Sequence, residues 1–325
     1  MWLHKLKRVF YNVFVLILFF ANLSAQAQGF RNEINLISDN DAYLAIAQDR
    51  YYTNGLFLSF RKAKQNPVAT NGNKVLKKIW GISIGQKMFN PYSGFIPYKG
   101  AIDRPFAGYL FGSYNHQWLY KNESSLQVEI QMGTIGKYSL GEQGQKFIHK
   151  TFRFYEINGW KYQIHDNFGI NVVTSYQHKI FRNKAQNIDL SMPLSIRLGN
   201  FFTGTNAALL FRWGKINKLN NSIATKSNLS YLNTNKTVNH EFFFYMKPAI
   251  DAVAYDSTIS GSLMGSDKKE VTFDSTPLVL SNEVGFAFSK NRINLGFALL
   301  FKTKEIESTA KPHQYGSITL GYQFN

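Results

Sequence analysis

Cysteine is absent from the 325 residues, so no disulfide staples the fold and no thiolate can serve as nucleophile or zinc ligand. Any chemistry must come from histidine, hydroxyls, carboxylates or an oxygen-ligated cation. Proline is scarce, at 8 residues. Beyond the N-terminal leader, no apolar run reaches the roughly 18–20 residues that a membrane-spanning helix needs. Acids are few as well, with Asp+Glu 20 against Lys+Arg 37 and a formal charge of +17. That imbalance predicts an anionic partner.

The leader narrows what the partner is. Lys5, Lys7 and Arg8 precede an apolar stretch over 13–23, and Ala25-Gln26-Ala27 supplies a small-x-small cleavage site. Residues 1–27 therefore read as a secretory signal peptide and 28–325 as the mature domain. The exported chain stays strongly basic without the leader. Nucleic acid is not expected as a partner, and a phosphate-rich lipid surface is.

What the sequence does have is aromatic residues, Phe 28 and Tyr 18, and segments that alternate. Leu126, Val128, Ile130 and Met132 alternate with Gln127, Glu129, Gln131 and Gly133, and near the end Ile318, Leu320, Tyr322 and Phe324 alternate with smaller or polar residues. Period two means strands with one oily face. A soluble sandwich would turn that face to a core, whereas an outer-membrane barrel turns it to lipid and closes on itself to satisfy every backbone group. The leader, the aromatic content and the aromatic last strand favour the barrel. Such segments fall near 30–38, 53–62, 78–88, 107–120, 124–134, 166–182, 185–200, 204–216, 239–256, 271–289, 292–303 and 314–325. The expected fold class is all-β, a transmembrane antiparallel β-barrel of about 12 strands. Short turns at 121–123 and 200–203 are expected on the periplasmic side, and the Asn-, Ser-, Thr- and Lys-rich stretch 217–239 as a mobile external loop.

The two-residue rhythm stops over 139–163. There Gln145 and His149 lie four apart, which on a helix puts both on one face. Such a helix, inserted between two strands, is expected to fold over the outer mouth with its polar face toward the lumen. Two further patches are rich in oxygen donors: Ser38-Asp39-Asn40-Asp41, and 49–55, which includes Thr53. Carboxylates, amides and carbonyls on adjacent strand ends are ligands that calcium prefers, although Asx-rich turns have the same composition. Arg104 enters the fourth strand, where it could pair with a ligand phosphate; a tie between loop and barrel rim is the expected role.

The motifs DNDAYL, DRYYTNGLFLSF, DRPFAGYLF, GTIGKYSLGEQGQKFIH and GWKYQI, in this order between about residues 30 and 170, resemble the lipid A 3'-O-deacylase family of outer-membrane enzymes. The resemblance implies a twelve-stranded barrel with a calcium-dependent esterase site near the outer mouth, removing the 3'-linked acyloxyacyl chain of lipid A. Its implied partners are lipid A or lipopolysaccharide as substrate and outer-membrane lipids as neighbours, with the chain a monomer. His149 is then the general base that activates water, and Gln145 positions water or substrate. Asn40 and Asp41 are the implied metal ligands, with Asp39 an alternative because DND can be registered two ways, and Thr53 gives a backbone oxygen. Calcium polarises the acyl carbonyl.

Two positions depart from the family pattern. Where relatives can place an acid six residues after the histidine, this chain has Tyr155; Glu156, seven after His149, is expected on the same helical face to orient the base. The family's loop lysine has Lys99 as its nearest match. Ser139 has no partner histidine in the pattern and is not expected to be a nucleophile. The alternatives are a phospholipid esterase using the same base and metal, and an inactive barrel or pore of the same fold.

Overall fold

Strand after strand joins its neighbour antiparallel in a computed structural model that describes residues 29–44, 50–64, 74–230, 240–263 and 271–325. Residues 1–27, where a signal peptide is expected, lie outside the described residues. The strands are β1 (Asn32–Asn40), β2 (Tyr51–Lys64), β3 (Val75–Asn90), β4 (Ala107–Tyr120), β5 (Ser125–Ile135), β6 (Asn167–Arg182), β7 (Ile188–Gly199), β8 (Phe202–Ala208), β9 (Leu210–Lys215), β10 (His240–Asp256), β11 (Leu278–Lys290), β12 (Ile293–Lys302) and β13 (His313–Phe324). Among the described residues two α-helices interrupt them, α1 (Gly141–Phe152) and the single turn α2 (Ser257–Ser260).

Strand β1 pairs with β2 on one side and β13 on the other, and β10 pairs with β11, so the sheet closes. The 13 strands fill twelve positions, because β8 and β9 continue each other in one register between β7 and β10. The break at Leu209 has a local cause. Its N–H donates to the Pro248 carbonyl at 3.0 Å, but Pro248 has no N–H to return. The fold is therefore a closed, twelve-stave antiparallel barrel with one substantial helix.

Alternation sorts the side chains. Ile37, Asp39, Ser59, Lys87 and Tyr109 line a cavity of about 630 Å³ inside the wall. Leu36, Leu58, Ile84, Ile130 and Ile170 stand exposed outside it. Closure leaves no edge strand, so such a wall can face lipid with its backbone satisfied.

Two loop expectations are corrected. β7 runs away from the end carrying the termini, so the turn at 200–201 lies at the opposite end, whereas 121–124 lies at the terminal end as expected. A tight hairpin turn looks alike at either rim; only the strand count decides which. The stretch from residue 217 is not an external loop. Residues 216–230 enter the lumen from the terminal end, where Leu219, Ser222, Ser227 and Leu229 are buried. Residues 231–239 lie outside the described residues.

Long-range partners hold this plug. The Glu241 carboxylate accepts from Asn217 N at 2.9 Å, Ser222 Oγ at 2.7 Å and Ile223 N at 3.0 Å. Glu123 Oε2 accepts from Leu219 N at 3.0 Å, Gln117 Nε2 donates to the Thr225 carbonyl at 3.0 Å, and Arg61 and Lys77 grip the Lys226 and Ser227 carbonyls. Arg212 joins the set through Asp189, at 2.9 and 2.6 Å, and Glu241 at 3.3 Å. The polar composition of 217–230 serves internal hydrogen bonds rather than hydration.

Candidate functional site on the outer wall

The site is built on the lipid-facing side of β1–β4. Because Asp39 and Lys87 line the lumen, alternation turns Asn40 on β1 and Gln86 and Met88 on β3 outward, and on β2 Asn54 shares the outward parity of exposed Leu56 and Leu58. Asn40 and Asn54 are register partners, and their side chains bond, Nδ2 of Asn40 donating to Oδ1 of Asn54 at 2.5 Å. Asn40 Oδ1 accepts from Ala42 N at 2.6 Å, which starts the tight turn after β1. Thr53 falls in a β-bulge between Tyr52 and Asn54, which takes it out of the β2–β3 register. Its hydroxyl reaches toward the Met88 carbonyl at 3.5 Å. Asp41, buried after the end of β1, accepts from Arg50 N at 3.1 Å and closes its own loop.

Helix α1 lies against this same outer wall, correcting the expectation that it covers the mouth with its polar face to the lumen. The contacts decide it. A Cβ on outward-facing Gly108 of β4 would collide with the Ser139 hydroxyl, and one on Gly141 would sit 3.0 Å from the Gly108 Cα, so only glycines allow this approach. Further along, a Cβ on Gly144 would lie 2.5 Å from Met88 Cε. Gln86 Nε2 donates to the Ser139 carbonyl at 2.6 Å and secures the helix start. Ser139 is a buried turn residue whose hydroxyl donates to the Gly136 carbonyl.

Gln145 and His149 share the buried face of α1, one turn apart. The Gln145 carbonyl oxygen accepts from Trp160 Nε1 at 2.6 Å, and the Trp160 ring packs on Phe106 at 5.5 Å. Ile96, Ile102 and Ile157 complete that small core and bring the loop between β3 and β4 against 157–160. Lys99 is exposed on this same loop.

The end of α1 fixes the histidine. Arg153 is left-handed, at φ 58°, and Phe154 N bonds back to the His149 carbonyl at 2.9 Å, so the chain reverses. The reversal carries the Tyr155 carbonyl to His149 Nδ1 at 2.8 Å, and the Phe154 and Tyr155 rings close edge-on around the imidazole at 5.2 and 4.9 Å. A carbonyl only accepts, so Nδ1 carries the proton and Nε2 is the basic nitrogen of the neutral ring. Glu156 lies beyond the reversal, off the helix and exposed. The expectation that it shares the helical face is corrected: a backbone carbonyl stands where an acid was sought.

Asp39 separates from its neighbours by pointing inward, where its carboxylate accepts from Tyr52 Oη at 2.8 Å. Strand parity puts Asn40 on the outer wall and Asp39 on the opposite face of β1. Arg104 also points inward, stacked 4.1 Å over Phe89 and donating to Thr258 Oγ1 at 3.2 Å; it is the tie between loop and rim that its position predicts. His116 and His178 stand among outward aromatics, ring to ring with Trp118 and Tyr176. Among the described residues, no three His, Asp or Glu side chains gather as a metal cluster. The donors at Asn40, Asp41, Asn54 and Thr53 are all oxygen with one carboxylate, a set that suits a hard cation over zinc.

Three of these features had little or no signal in the sequence. Asn54 could be found from its period-two parity with Asn40, and Trp160 from its place in GWKYQI. The Tyr155 carbonyl had none, because every residue carries one.

An apolar-outside barrel with a helix packed over polar residues of its lipid-facing wall is an integral outer-membrane protein whose candidate site opens toward lipid. The chain belongs to the family described as outer membrane protein LpxR, whose model matches residues 13–324. Among solved structures, LpxR from Salmonella typhimurium is similar with a TM-score of 0.70 at 18% identity, covering 90% of this chain and 100% of that one. That likeness shows the fold. The beta domain of the Bordetella autotransporter BrkA matches at a TM-score of 0.48 and 11% identity, over 91% of this chain and 100% of that one. None of the curated proteins matches the sequence.

Proposed function

We propose that this outer-membrane protein is a calcium-dependent lipid A 3'-O-deacylase, a carboxylic ester hydrolase with His149 as general base. The observation that carries the reading is the placement of His149: its tautomer is set by the Tyr155 carbonyl, on a helix packed against the outer wall. A site there receives its substrate sideways from the membrane, as a lipid ester requires. From Gly141 beside β4 to Gly144 beside β3, three residues of helix rise, about 4.5 Å, match one strand spacing of about 4.8 Å. By the same rise, the turn that carries His149 would extend toward β2 and β1, which bear Asn54 and Asn40.

In this mechanism Nε2 of His149 takes a proton from water as the water oxygen attacks the acyl carbonyl carbon. Collapse of the tetrahedral intermediate breaks the bond to the sugar 3'-oxygen, and the imidazolium returns the proton to that leaving oxygen. The products are the free acyloxyacyl acid and a 3'-hydroxyl. Gln145, held by Trp160, positions water or substrate beside the base. Asn40, Asp41 and the Thr53 carbonyl, with Asn54 alongside, are the oxygen donors that would hold calcium, which when bound polarises the ester carbonyl. Tyr155 fixes the ring in place of a carboxylate.

Mass spectrometry of lipid A from cells expressing the wild type or His149→Ala tests this. Loss of the 3'-linked chain only with the wild type, abolished by a calcium chelator, is expected; identical acyl patterns with both proteins in calcium would sink the reading. A lipid-facing site suits a phospholipid ester equally, so purified protein offered each lipid separates the two substrates. The open-pore alternative is opposed by the 216–230 plug.

A further inference from the structure

Helix α1 presents its second face away from the barrel. Gly141, Gln145 and His149 turn inward, while Lys146, Phe147, Lys150 and Thr151 are exposed. Phe147 is 71% exposed, an unusual position for a phenylalanine in water, and Leu140 just before the helix is 50% exposed. The patch is continuous with the lipid-facing band. Tyr138, 60% exposed, packs on Phe168 at 5.6 Å, and Phe168 tops the outward row of β6 that runs on through Ile170 and Val172. Around the apolar residues lie exposed cations, Lys150 in the last helical turn and Arg153 just after it, with Lys146 bridged to Glu142 at 2.6 Å.

We propose that the outward face of α1 is an interfacial anchor seated in the outer leaflet, with Phe147 and Leu140 among the acyl chains and Lys150 and Arg153 against lipid phosphates. An amphipathic helix with an apolar strip and flanking cations lies in such an interface, held by buried area and by attraction to anionic lipid. The anchor would hold α1 at the depth where headgroup esters lie. The inference rests on the outer-membrane setting and is independent of the ester chemistry.

The absence of cysteine makes the test clean. Nitroxide labels on Phe147→Cys, on Phe168→Cys in the lipid-facing band and on Tyr98→Cys in an exposed loop are compared in nanodiscs of phosphatidylcholine with and without phosphatidylglycerol. Collision with oxygen reports lipid and collision with a nickel chelate reports water. The expected result is an oxygen-to-nickel ratio at 147 close to that at 168 and several-fold above that at 98. A ratio at 147 matching that at 98 would overturn the anchor. Phosphatidylglycerol should raise the ratio at 147, and Lys150→Glu with Arg153→Glu should abolish that rise; a rise that survives both changes, or no rise in the parent, refutes the phosphate contacts. None of these readouts depends on hydrolysis.

Discussion

At the end of the barrel that carries the termini, charged side chains point inward, and Glu123, Asp189, Arg212 and Glu241 are bound up with one another and with the 216–230 segment. Toward the other end, Asn40, Asn54 and Gln86 point outward through the same wall, where Asn40 bonds Asn54 and Gln86 holds the start of a helix that packs on β3 and β4. Both regions hold polar groups next to a membrane, the inner ones buried and the outer ones half-buried. The inner set is satisfied by a dense web of charge-assisted bonds, which makes it rigid and chemically quiet. The outer set is neutral apart from Asp41, and it lies on the lipid-facing side of the wall. Burial of polar residues alone therefore does not mark a site; the face of the wall on which they lie does.

The contrast predicts different outcomes for substitutions in the two regions. Replacing His149 with Ala should lower the deacylation rate of purified protein by roughly 10²–10⁴-fold while leaving the folded barrel's electrophoretic mobility unchanged. Removing Glu241 by Glu241→Ala should do the reverse, destabilising the barrel by about 3–5 kcal/mol in urea titrations because Arg212 loses a buried partner, with activity per folded molecule retained. If Glu241→Ala instead abolished activity at full stability, the two regions would not be separate.

Smaller effects follow. Trp160→Phe takes one donor from the Gln145 carbonyl and should cut kcat by roughly tenfold, about 1.4 kcal/mol, with KM little changed. A third region, the loop after β12, gives a pH signature. Burial would raise the Glu305 pKa, but Lys302, His313 and Arg104 outweigh it and bring the carboxyl down from 4.5 to about 2. A depressed carboxylate stabilises the fold fully above its unfolded pKa, and the contribution fades as pH falls from about 4.5 through about 2. Glu305→Gln should flatten stability across that acid window in thermal unfolding scans. The smallest change is expected for Asp39→Asn, which touches only the lumen and should leave the calcium dependence of hydrolysis as it was, whereas Asn40→Ala should weaken it.

The barrel was legible because alternation is local. Leu126–Met132 and Ile318–Phe324 display their period whatever they pair with, and twelve such segments imply closure. His149 and Gln145 were likewise readable as one helical face. The departures share a cause. Glu156 was placed by helical spacing, yet the left-handed turn at Arg153 ends the helix before it. The plug's composition reads as an external loop because Asn, Ser and Thr suit hydration and internal bonding equally well. Its real partners, Glu241, Glu123, Arg61 and Lys77, come from four distant strand ends.

By itself, the sequence determined that this chain makes strands with one oily face, carries a helix with an imidazole and an amide on one side, and gathers oxygen donors after β1 and at the start of β2. Those properties follow from spacing along the chain, and no neighbour is needed to read them. Inside and outside depend on the assembled barrel: Asp39 faces the lumen and Asn40 the lipid, 216–230 plugs the terminal end, and α1 lies on the outer wall. The reason is that a loop has no period. Where it goes depends on which distant surface offers hydrogen-bond partners and glycine-sized gaps, as Gly108 does for α1 and Glu241 for the plug.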